Sequence, residues 1–398
     1  MPSSINHSSI SISNKFIIIA PHLKYPLRNG ADIYVEKIGR YLSSVRENVI
    51  ILGANTITHY QNGEIINQQN FENDFRAKTL AAIRTLVFKS HYLLEKFLTN
   101  AYRQKAGEIV QVHPEAVIVY SFIYSTSLRL TTKPAIILTH NDEIDIYRNH
   151  RLNTKNPIQK YVAILSEKWL LDYFHQTNNN IFANITEVDR NAYCQYIPKQ
   201  QNIIVPAGIE YRSLSKTTLV DEKIHLLFCG SLNVKMNKDA LLFFKEKFWG
   251  LFKNHFQEDI DVWIAGSNPT FSVINMCKNQ GWTLYPNISD EKLNSLYEKA
   301  TFGILPFEYS AGAKTKLLNC YAAGLPVMAT LCVKNMAEQD FLPNLFSNDP
   351  QKWLKHLQKY QIKRYDISGR IDCQRFSMQY SWKNIIEKLD TDLKTMGI

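Results

Sequence analysis

Short apolar runs alternate with longer amphipathic segments along the chain, a pattern that predicts parallel β-sheets covered by helices. The runs form two sets. The first set contains residues 16–20, 48–52, 116–120, 135–139, 180–183 and 202–205. The second set contains residues 225–229, 261–265, 282–285, 302–306 and 326–330. The pattern therefore predicts an α/β protein with two doubly wound domains that face each other across a cleft.

The two sets of strands are separated by residues 208–222, a polar stretch without clear periodicity that predicts a hinge. We therefore place the first domain at residues 15–208 and the second at residues 209–379. Residues 1–14 are polar and serine-rich, which predicts a flexible tail. The closing segment, 380–398, has helical periodicity and follows the second set at a distance, so we expect it to cross back onto the first domain.

The composition of the 398 residues, 45% hydrophobic and 21% charged, is typical of a folded globular protein. The apolar run at 16–20 is far shorter than the roughly 20 residues that a membrane-spanning helix needs, so we expect a cytoplasmic protein. The six cysteines are dispersed, with no C-x-x-C pair and no histidine at metal-ligand spacing. This spacing argues against a zinc site and indicates reduced, structural cysteines.

The net charge of +10 favours an anionic partner. Seven basic residues between 76 and 105 stand against Glu95 alone, and apolar residues recur between them at helical spacing. This segment predicts a basic amphipathic helix or helix pair, with two interpretations: contact with an anionic membrane surface, or a core-packed helix with a solvated basic face. Nucleic acid is not expected as a partner, because the chain has no recognised nucleic-acid module.

Residues 308–330 combine a glycine-containing loop, a short helix and a buried strand. Gly312 lets the backbone approach a ligand, the N–H groups that open the helix lack intrahelical partners, and Lys314 and Lys316 add positive charge. These features are typical of a phosphate site. The segment alone is equally consistent with a plain loop–helix–strand connection carrying solvated lysines.

Two similar loops follow the second-domain strands at 225–229 and 261–265. Small residues form each loop, and two lysines open the helix after the first one. Loops at the carboxyl ends of parallel strands are where doubly wound domains bind ligands. The candidate residues in these loops are Gly230, Ser231, Lys235, Lys238 and Gly266.

Two loops of the first domain also follow strands. Asn29 and Gly30 can adopt left-handed geometry before a helix, which predicts a second anion-binding loop. His140, with Asp142 and Glu143, places an imidazole and two carboxylates after the strand at 135–139. A lone histidine at a strand end is often structural, so position alone leaves both a structural and a functional role open.

Together these segments resemble the GT-B glycosyltransferases, in particular the large retaining family 4, glycosyl transferases group 1. The resemblance spans nearly the whole chain and rests on the order of several short motifs. These are Asn29-Gly30, residues 140–143, 206–210, 228–231 and 264–267, Ile288-Ser289-Asp290 before residues 296–300, and residues 312–316 with 322–327.

The resemblance implies that the second domain holds a nucleotide-sugar donor and the first holds the acceptor. Gly312 and Ala313 would present N–H groups to the diphosphate. Lysines would neutralise the leaving nucleotide, one from Lys235 or Lys238 and one from Lys314 or Lys316. Gly30 would lie near the donor phosphates, and His140 near the sugar and acceptor. The family is expected to need no metal or other cofactor and to transfer sugar with retention.

The sequence departs from this family at two glutamate positions. The family commonly carries two glutamates eight positions apart, where this chain has Ala311 and Asn319. Asn319 can still exchange hydrogen bonds with a ribose, and Glu308 is a candidate replacement for the sugar contact. Ser231 also stands where many relatives have an arginine. We interpret these replacements as an altered site.

The function predicted by the resemblance is glycosyl transfer to a glycan or lipid-linked saccharide in surface polysaccharide biosynthesis. The catalytic candidates are His140 and Glu308. An enzyme of this kind would be cytoplasmic, with a peripheral position on the inner face of the plasma membrane if the basic segment contacts lipid. The alternatives are a non-catalytic nucleotide- or glycan-binding protein and, less favoured, a nucleotide-sugar epimerase.

Overall fold

The computed structural model describes residues 14–27, 30–176, 179–210, 223–308, 313–334, 344–362 and 367–398. The chain divides into two compact units. Unit 1 comprises Met1–Ala207 and Trp382–Ile398, and unit 2 comprises Gly208–Ser381. Residues 1–13 of the predicted tail and 211–222 of the predicted hinge lie outside the described residues.

Unit 1 alternates strands and helices after an initial strand. Its elements up to residue 207 are β1 (Lys15–Ile19), α1 (Gly30–Val45), β2 (Asn48–Leu52), β3 (Thr56–Gln61), β4 (Glu64–Asn70), α2 (Lys78–Phe88), α3 (Tyr92–Phe97), α4 (Asn100–Val112), β5 (Val117–Tyr120), a 3-10 helix (Ile123–Leu128), β6 (Ile136–Thr139), α5 (Glu143–Asn153), α6 (Pro157–Phe174), β7 (Ile181–Asn184), α7 (Glu187–Tyr196) and β8 (Gln201–Ile204).

The eight strands form one sheet in the order β4-β3-β2-β1-β5-β6-β7-β8. The strands from β2 to β8 in this order pair in parallel, with Phe16 of β1 in register with Val49 on one side and Val117 on the other. Residues 16–19 of β1 are fully buried, as expected of a central strand covered by helices on both faces. The six predicted strands of the first set are confirmed within about two residues.

The hairpin of β3 and β4 adds an antiparallel edge that the apolar pattern did not predict. Its turn is Asn62-Gly63, both at positive φ (52° and 80°), as two-residue hairpin turns require. Every residue of β4 is exposed. A search for buried apolar runs misses such a strand because it has no core face, although the Asn-Gly pair was a readable turn signal.

Unit 2 repeats the alternation with more regular topology. Its elements are β9 (Ile224–Cys229), α8 (Lys235–Phe244), a π-helical turn (Lys245–Trp249), α9 (Gly250–Phe256), a 3-10 turn (Gln257–Asp259), β10 (Ile260–Gly266), α10 (Phe271–Gln280), β11 (Thr283–Pro286), α11 (Asp290–Lys299), β12 (Phe302–Leu305), α12 (Ala313–Ala322), β13 (Val327–Ala329), α13 (Leu331–Lys334), β14 (Leu345–Phe346), α14 (Pro350–Ile362) and α15 (Ile367–Met378).

The six strands of unit 2 form a wholly parallel sheet in the order β11-β10-β9-β12-β13-β14. Its central strand, β9, is an apolar run with five buried residues, and the aromatic rings of α8, α9 and α14 pack into the same core. The order reverses between β9 and β12, which places a topological switch point at the carboxyl end of β9. The five predicted strands of the second set are confirmed, and β14 is an addition.

The last helix, α16 (Trp382–Thr395), belongs to unit 1 and packs against α1. Its apolar face buries Trp382, Ile386 and Leu389 in the core beneath α1. Asp390 on the same helix forms a buried ion pair with Arg46, at the end of α1. We had expected the closing segment to return to the first domain, and the helix lies on that unit.

The basic segment forms α2, α3 and the start of α4, and the expected single helix or helix pair was wrong. Lys89 ends α2 in left-handed conformation, the His91 side chain caps α3, and Thr99 caps α4. These local stops divide the amphipathic pattern into three short helices. Among the described residues, no helix combines the length and hydropathy that a membrane span requires.

Candidate functional site

The loops after β9 and β10 are held together in unit 2 by close backbone packing. Gly230 N–H donates to the Ala265 carbonyl at 3.0 Å, and Leu232 N–H donates to the Ser267 carbonyl at 2.8 Å. A Cβ added to Gly266 would lie 1.8 Å from the Gly230 carbonyl oxygen. Only glycine fits at residue 266, and the two loops therefore form one surface at the carboxyl edge of the sheet.

Lys316 of α12 reaches the same surface. A Cβ added to Gly230 would lie 3.1 Å from Lys316 Cε and 2.9 Å from Asn237 Nδ2. The Lys316 ammonium lies 5.4 Å from the centroid of the Phe307 ring, and burial lowers the pKa of this side chain. The loop backbone, the amide of Asn237 and a half-buried cation are thus brought together beside the switch point.

Hydroxyl and amide side chains fix the shape of this surface. Asn237, buried in α8, donates through Nδ2 to the Ser231 carbonyl at 2.8 Å, and Ser267 Oγ donates to Ser231 Oγ at 3.3 Å. Ser231 is therefore engaged within the surface. Sequence reasoning missed both Asn237 and Phe307, since an asparagine inside a helix and a phenylalanine after a strand give no distinctive signal.

The other candidates of unit 2 differ in exposure, and some of them are only partly described. Lys235 is 82% exposed and pairs with Asp239 at 2.6 Å, while Lys238 is half-buried on the next part of α8. Glu308 is exposed after β12, and Asn319 is half-buried in α12. Ala313 opens α12, and the Ala313 and Lys314 side chains, Ala311 and Gly312 lie outside the described residues.

In unit 1, the side chains around the candidate residue His140 come from the carboxyl ends of β1, β5 and β6. His140, which is 8% exposed, stacks on Phe122 with ring centroids 4.2 Å apart. His22 lies edge-on to both rings, 4.7 Å from Phe122 and 6.0 Å from His140. Its Nε2 is 3.5 Å from Asp32 Oδ1, and its Nδ1 is 3.4 Å from Ser121 Oγ. We call His22, Asp32, Phe122 and His140 the histidine cluster.

Both imidazoles of the histidine cluster are neutral near pH 7. Burial lowers the pKa of His140 to about 4, although a hydrogen bond to the Ser121 backbone acts in the opposite direction and raises it. Burial, with the neighbouring His140 as a second cause, lowers the pKa of His22 to about 3. Within the described residues, His140 Nε2 is buried without a hydrogen-bond partner. The cluster can therefore exchange hydrogen bonds with hydroxyl groups but offers no cation for a phosphate.

Sequence reasoning missed His22 and Asp32. Both occur in the segment after β1 that was selected for Asn29 and Gly30, and a histidine two residues beyond the strand was a usable signal. Gly30 opens α1 with open space where a Cβ would lie, and Asn29 lies outside the described residues.

The two carboxylates after His140 are engaged in the fold. Asp142 caps α5, accepting hydrogen bonds from the N–H groups of Ile144 and Asp145 at 3.0 and 3.1 Å. Glu143 is 5% exposed, and burial raises its pKa to about 8. It lies near the phenols of Tyr124, Tyr147 and Tyr193, whose pKa values are raised first by burial and further by interaction with Glu143. With Asp142 engaged as a helix cap and Glu143 buried, these two carboxyl groups give little support to the epimerase alternative.

Within the described part of the chain, no three His, Cys, Asp or Glu side chains group closely enough to hold a metal ion. The six cysteines, all among the described residues, form no disulfide.

The comparison with protein families concerns unit 2. Residues 223–360, which lie within unit 2 and include the Gly230–Gly266 contact and Lys316, match the family described as Glycosyl transferases group 1. The chain is a glycosyltransferase with the GT-B fold. A search of curated proteins finds no match to this glycosyltransferase.

Solved structures support the fold of the glycosyltransferase over nearly its full length. Sucrose-phosphate synthase from Thermosynechococcus elongatus is 14% identical, with a TM-score of 0.63, covering 96% of this chain and 98% of its own. An E. coli structure named for trehalose-6-phosphate and bound with UDP-2-fluoro glucose is 12% identical (TM-score 0.59; 96% and 99% covered). Anabaena Alr3699/HepE, in complex with UDP and glucose, is 10% identical (TM-score 0.57; 96% and 99% covered).

Proposed function

We propose that this glycosyltransferase moves a sugar from a nucleotide-sugar donor held by unit 2 to an acceptor held by unit 1. The observation that carries the proposal is the surface formed by the Gly230 and Gly266 loops with Lys316. Closely packed backbone and one cation at the carboxyl edge of a parallel sheet suit a diphosphate. Two of the similar structures contain UDP or a UDP-sugar.

The proposed roles of these residues depend on where negative charge develops during sugar transfer. Breaking the bond between the sugar and the diphosphate places negative charge on the leaving phosphate, so groups already positioned there stabilise the transition state. In the proposal Lys316 supplies the positive charge, and the N–H groups at the start of α12 supply hydrogen bonds. Lys314, Gly312 and Ala313 belong to the same proposed donor site. No metal or other cofactor is required by this scheme.

The neutral histidine cluster suits the acceptor. A sugar hydroxyl needs a partner that can accept or donate a hydrogen bond without competing for the anionic donor, and we assign that role to the neutral His140 imidazole, whose residue is 8% exposed. We assign Glu308 to the transferred sugar because it is an exposed carboxylate directly after β12. Transfer with retention fits this set of residues, since no positioned carboxylate nucleophile is needed when the leaving phosphate assists the acceptor.

The proposed acceptor is a glycan or a lipid-linked saccharide of surface polysaccharide biosynthesis, and the proposed location is peripheral, on the inner face of the plasma membrane. The net charge of +10 and the basic segment support an anionic membrane surface as a partner.

The experiment is calorimetry with UDP-, GDP-, dTDP- and CMP-sugars, paired with hydrolysis of each donor in the absence of acceptor. We expect one nucleotide class to bind and its sugar to be released slowly. Binding without any turnover, even with lipid-linked acceptors added, would instead support the non-catalytic alternative. No binding by any nucleotide would overturn the proposal.

A further inference from the structure

Two aromatic neighbours contact the His140 ring with different geometry. Phe122 stacks on it, with centroids 4.2 Å apart and an interplanar angle of 28°. Tyr34, on α1, meets it edge-on, with centroids 5.5 Å apart and an interplanar angle of 75°. A stacked contact alone lets a ring slide within its own plane, and a second ring in edge-on contact limits that movement. Tyr34 therefore restrains a direction that Phe122 leaves free.

Tyr34 is itself anchored within unit 1. It is 3% exposed, and its hydroxyl donates to the Val205 carbonyl at 2.6 Å, so the phenol is fixed at its polar end. Its ring also lies 6.0 Å from the ring of Trp382, which is buried at the start of α16. In turn, Val205 N–H donates to the carbonyl of Asn184, the last residue of β7, at 2.8 Å. These contacts set the position of Tyr34 independently of the loop that carries His140.

Both anchors of Tyr34 lie where the chain passes between the two units. Unit 1 ends at Ala207 and resumes at Trp382. Beyond these points, Ile209 N–H donates to the Tyr380 carbonyl at 2.9 Å, so a backbone hydrogen bond joins the outgoing and returning segments. Because the two segments are held together, the anchors of Tyr34 form one support. The proposed donor unit is attached to unit 1 through this support.

We propose that Tyr34 is a positioning residue that holds the His140 imidazole at a fixed place relative to the two segments that join the units. In the proposed function His140 contacts the substrate, and a misplacement of about 1 Å in such a group can cost about 100-fold in rate. This inference rests on the proposed function and adds a residue that acts only through His140. It needs no chemistry at Tyr34 itself, whose hydroxyl is used on Val205.

The test is a double-mutant cycle on slow hydrolysis of the nucleotide sugar that wild type accepts. Tyr34→Phe keeps the ring and removes the bond to Val205. We expect kcat to fall about tenfold, with KM and nucleotide affinity unchanged, because a misplaced group weakens the transition state and not the bound donor. In the His140→Ala background the same change should lower kcat by less than about twofold. Equal losses in the two backgrounds would overturn the proposal.

The matched control is Tyr102→Phe. Tyr102 is also fully buried in unit 1, where its hydroxyl donates to the Leu52 carbonyl at 2.8 Å, and it belongs to the core on the opposite face of the sheet. Both variants lose one buried hydrogen bond to a carbonyl, so both should lower Tm by a similar amount. Tyr102→Phe should leave kcat unchanged. A similar loss of kcat in both variants would mean that stability, and not the placement of His140, limits the rate.

A second measurement follows the His140 imidazole without any substrate. In protein with isotope-labelled histidine, the NMR resonance of the His140 ring is assigned by its absence in His140→Ala. This resonance should shift or broaden in Tyr34→Phe and stay in place in Tyr102→Phe. An unchanged resonance in Tyr34→Phe would contradict the inference. Wild type that neither binds nor hydrolyses any nucleotide sugar would instead refute the proposed function, and the NMR result would still decide whether Tyr34 positions His140.

Discussion

The carboxyl edges of the two sheets differ in what they offer a ligand. In unit 1, the edge consists of buried aromatic and titratable side chains, among them His22, His140 and Glu143, all held neutral near pH 7 by burial. In unit 2, it consists of tightly packed glycine loops and the cation of Lys316. One parallel-sheet architecture can therefore supply neutral hydrogen-bonding groups at one site and charge compensation at another.

The close packing of the Gly230 and Gly266 loops in unit 2 can be tested with the Gly266→Ala variant. The added methyl group would lie 1.8 Å from the Gly230 carbonyl oxygen, a backbone atom that cannot rotate away. We expect a loss of about 3 kcal/mol in the free energy of unfolding, measured by urea denaturation, together with loss of nucleotide binding.

Gly250→Ala is the control for that change. A Cβ at Gly250, the first residue of α9, meets nothing within 4 Å, so alanine should leave stability unchanged or raise it by up to about 1 kcal/mol. Full stability of Gly266→Ala would mean that the two loops are not locked together and that the described donor surface is incorrect.

Burial of a carboxyl group is the corresponding feature of unit 1, and Glu143→Gln tests it. The folded pKa of about 8 lies above the ordinary value of 4.5, so the folded state retains a proton that the unfolded chain releases. The contribution of Glu143 to stability is therefore full below about pH 4.5 and falls as the pH rises to about 8. Glutamine should raise the free energy of unfolding at pH 8.5 by on the order of 3 kcal/mol and change little at pH 4.5.

The measurement is thermal unfolding of wild type and variant between pH 4 and pH 9. The two histidines act in the opposite sense, since their lowered pKa values remove stability as the pH falls from 6.5 toward 3 or 4, and both proteins share that acidic limb. Parallel profiles above pH 5 would show that Glu143 ionises freely and is not held neutral.

The sequence predicts the fold well because burial in a parallel sheet requires apolar runs that are visible without a structure. Strands β1 and β9 are continuous apolar segments, whereas β4 has no buried residue and was missed. The site was predictable only at glycines and lysines next to strands. Asn237 and Phe307 belong to the unit 2 surface, and Asp32 to the histidine cluster, through tertiary contacts that local sequence patterns do not encode.

The charge of Lys316 distinguishes the unit 2 surface from the histidine cluster, and Lys316→Met tests it. Methionine retains the apolar stem beside Phe307 and removes the ammonium group. We expect affinity for the nucleotide diphosphate to fall by about 30-fold, or about 2 kcal/mol, the value of one hydrogen bond to a charged group. Calorimetry with the donor that binds wild type measures the change.

The stability of Lys316→Met should not fall with its affinity for the nucleotide. Burial lowers the pKa of Lys316, so the folded protein pays a desolvation cost for this charge that methionine removes, and Tm should stay constant or rise. Lys299→Met is the control, because this exposed lysine ends α11 just before the amino end of β12, at the opposite edge of the sheet. Equal affinity losses in the two variants would show that general positive charge holds the diphosphate. A loss confined to Lys316→Met, with Tm maintained, would place the anion site at the carboxyl edge of unit 2.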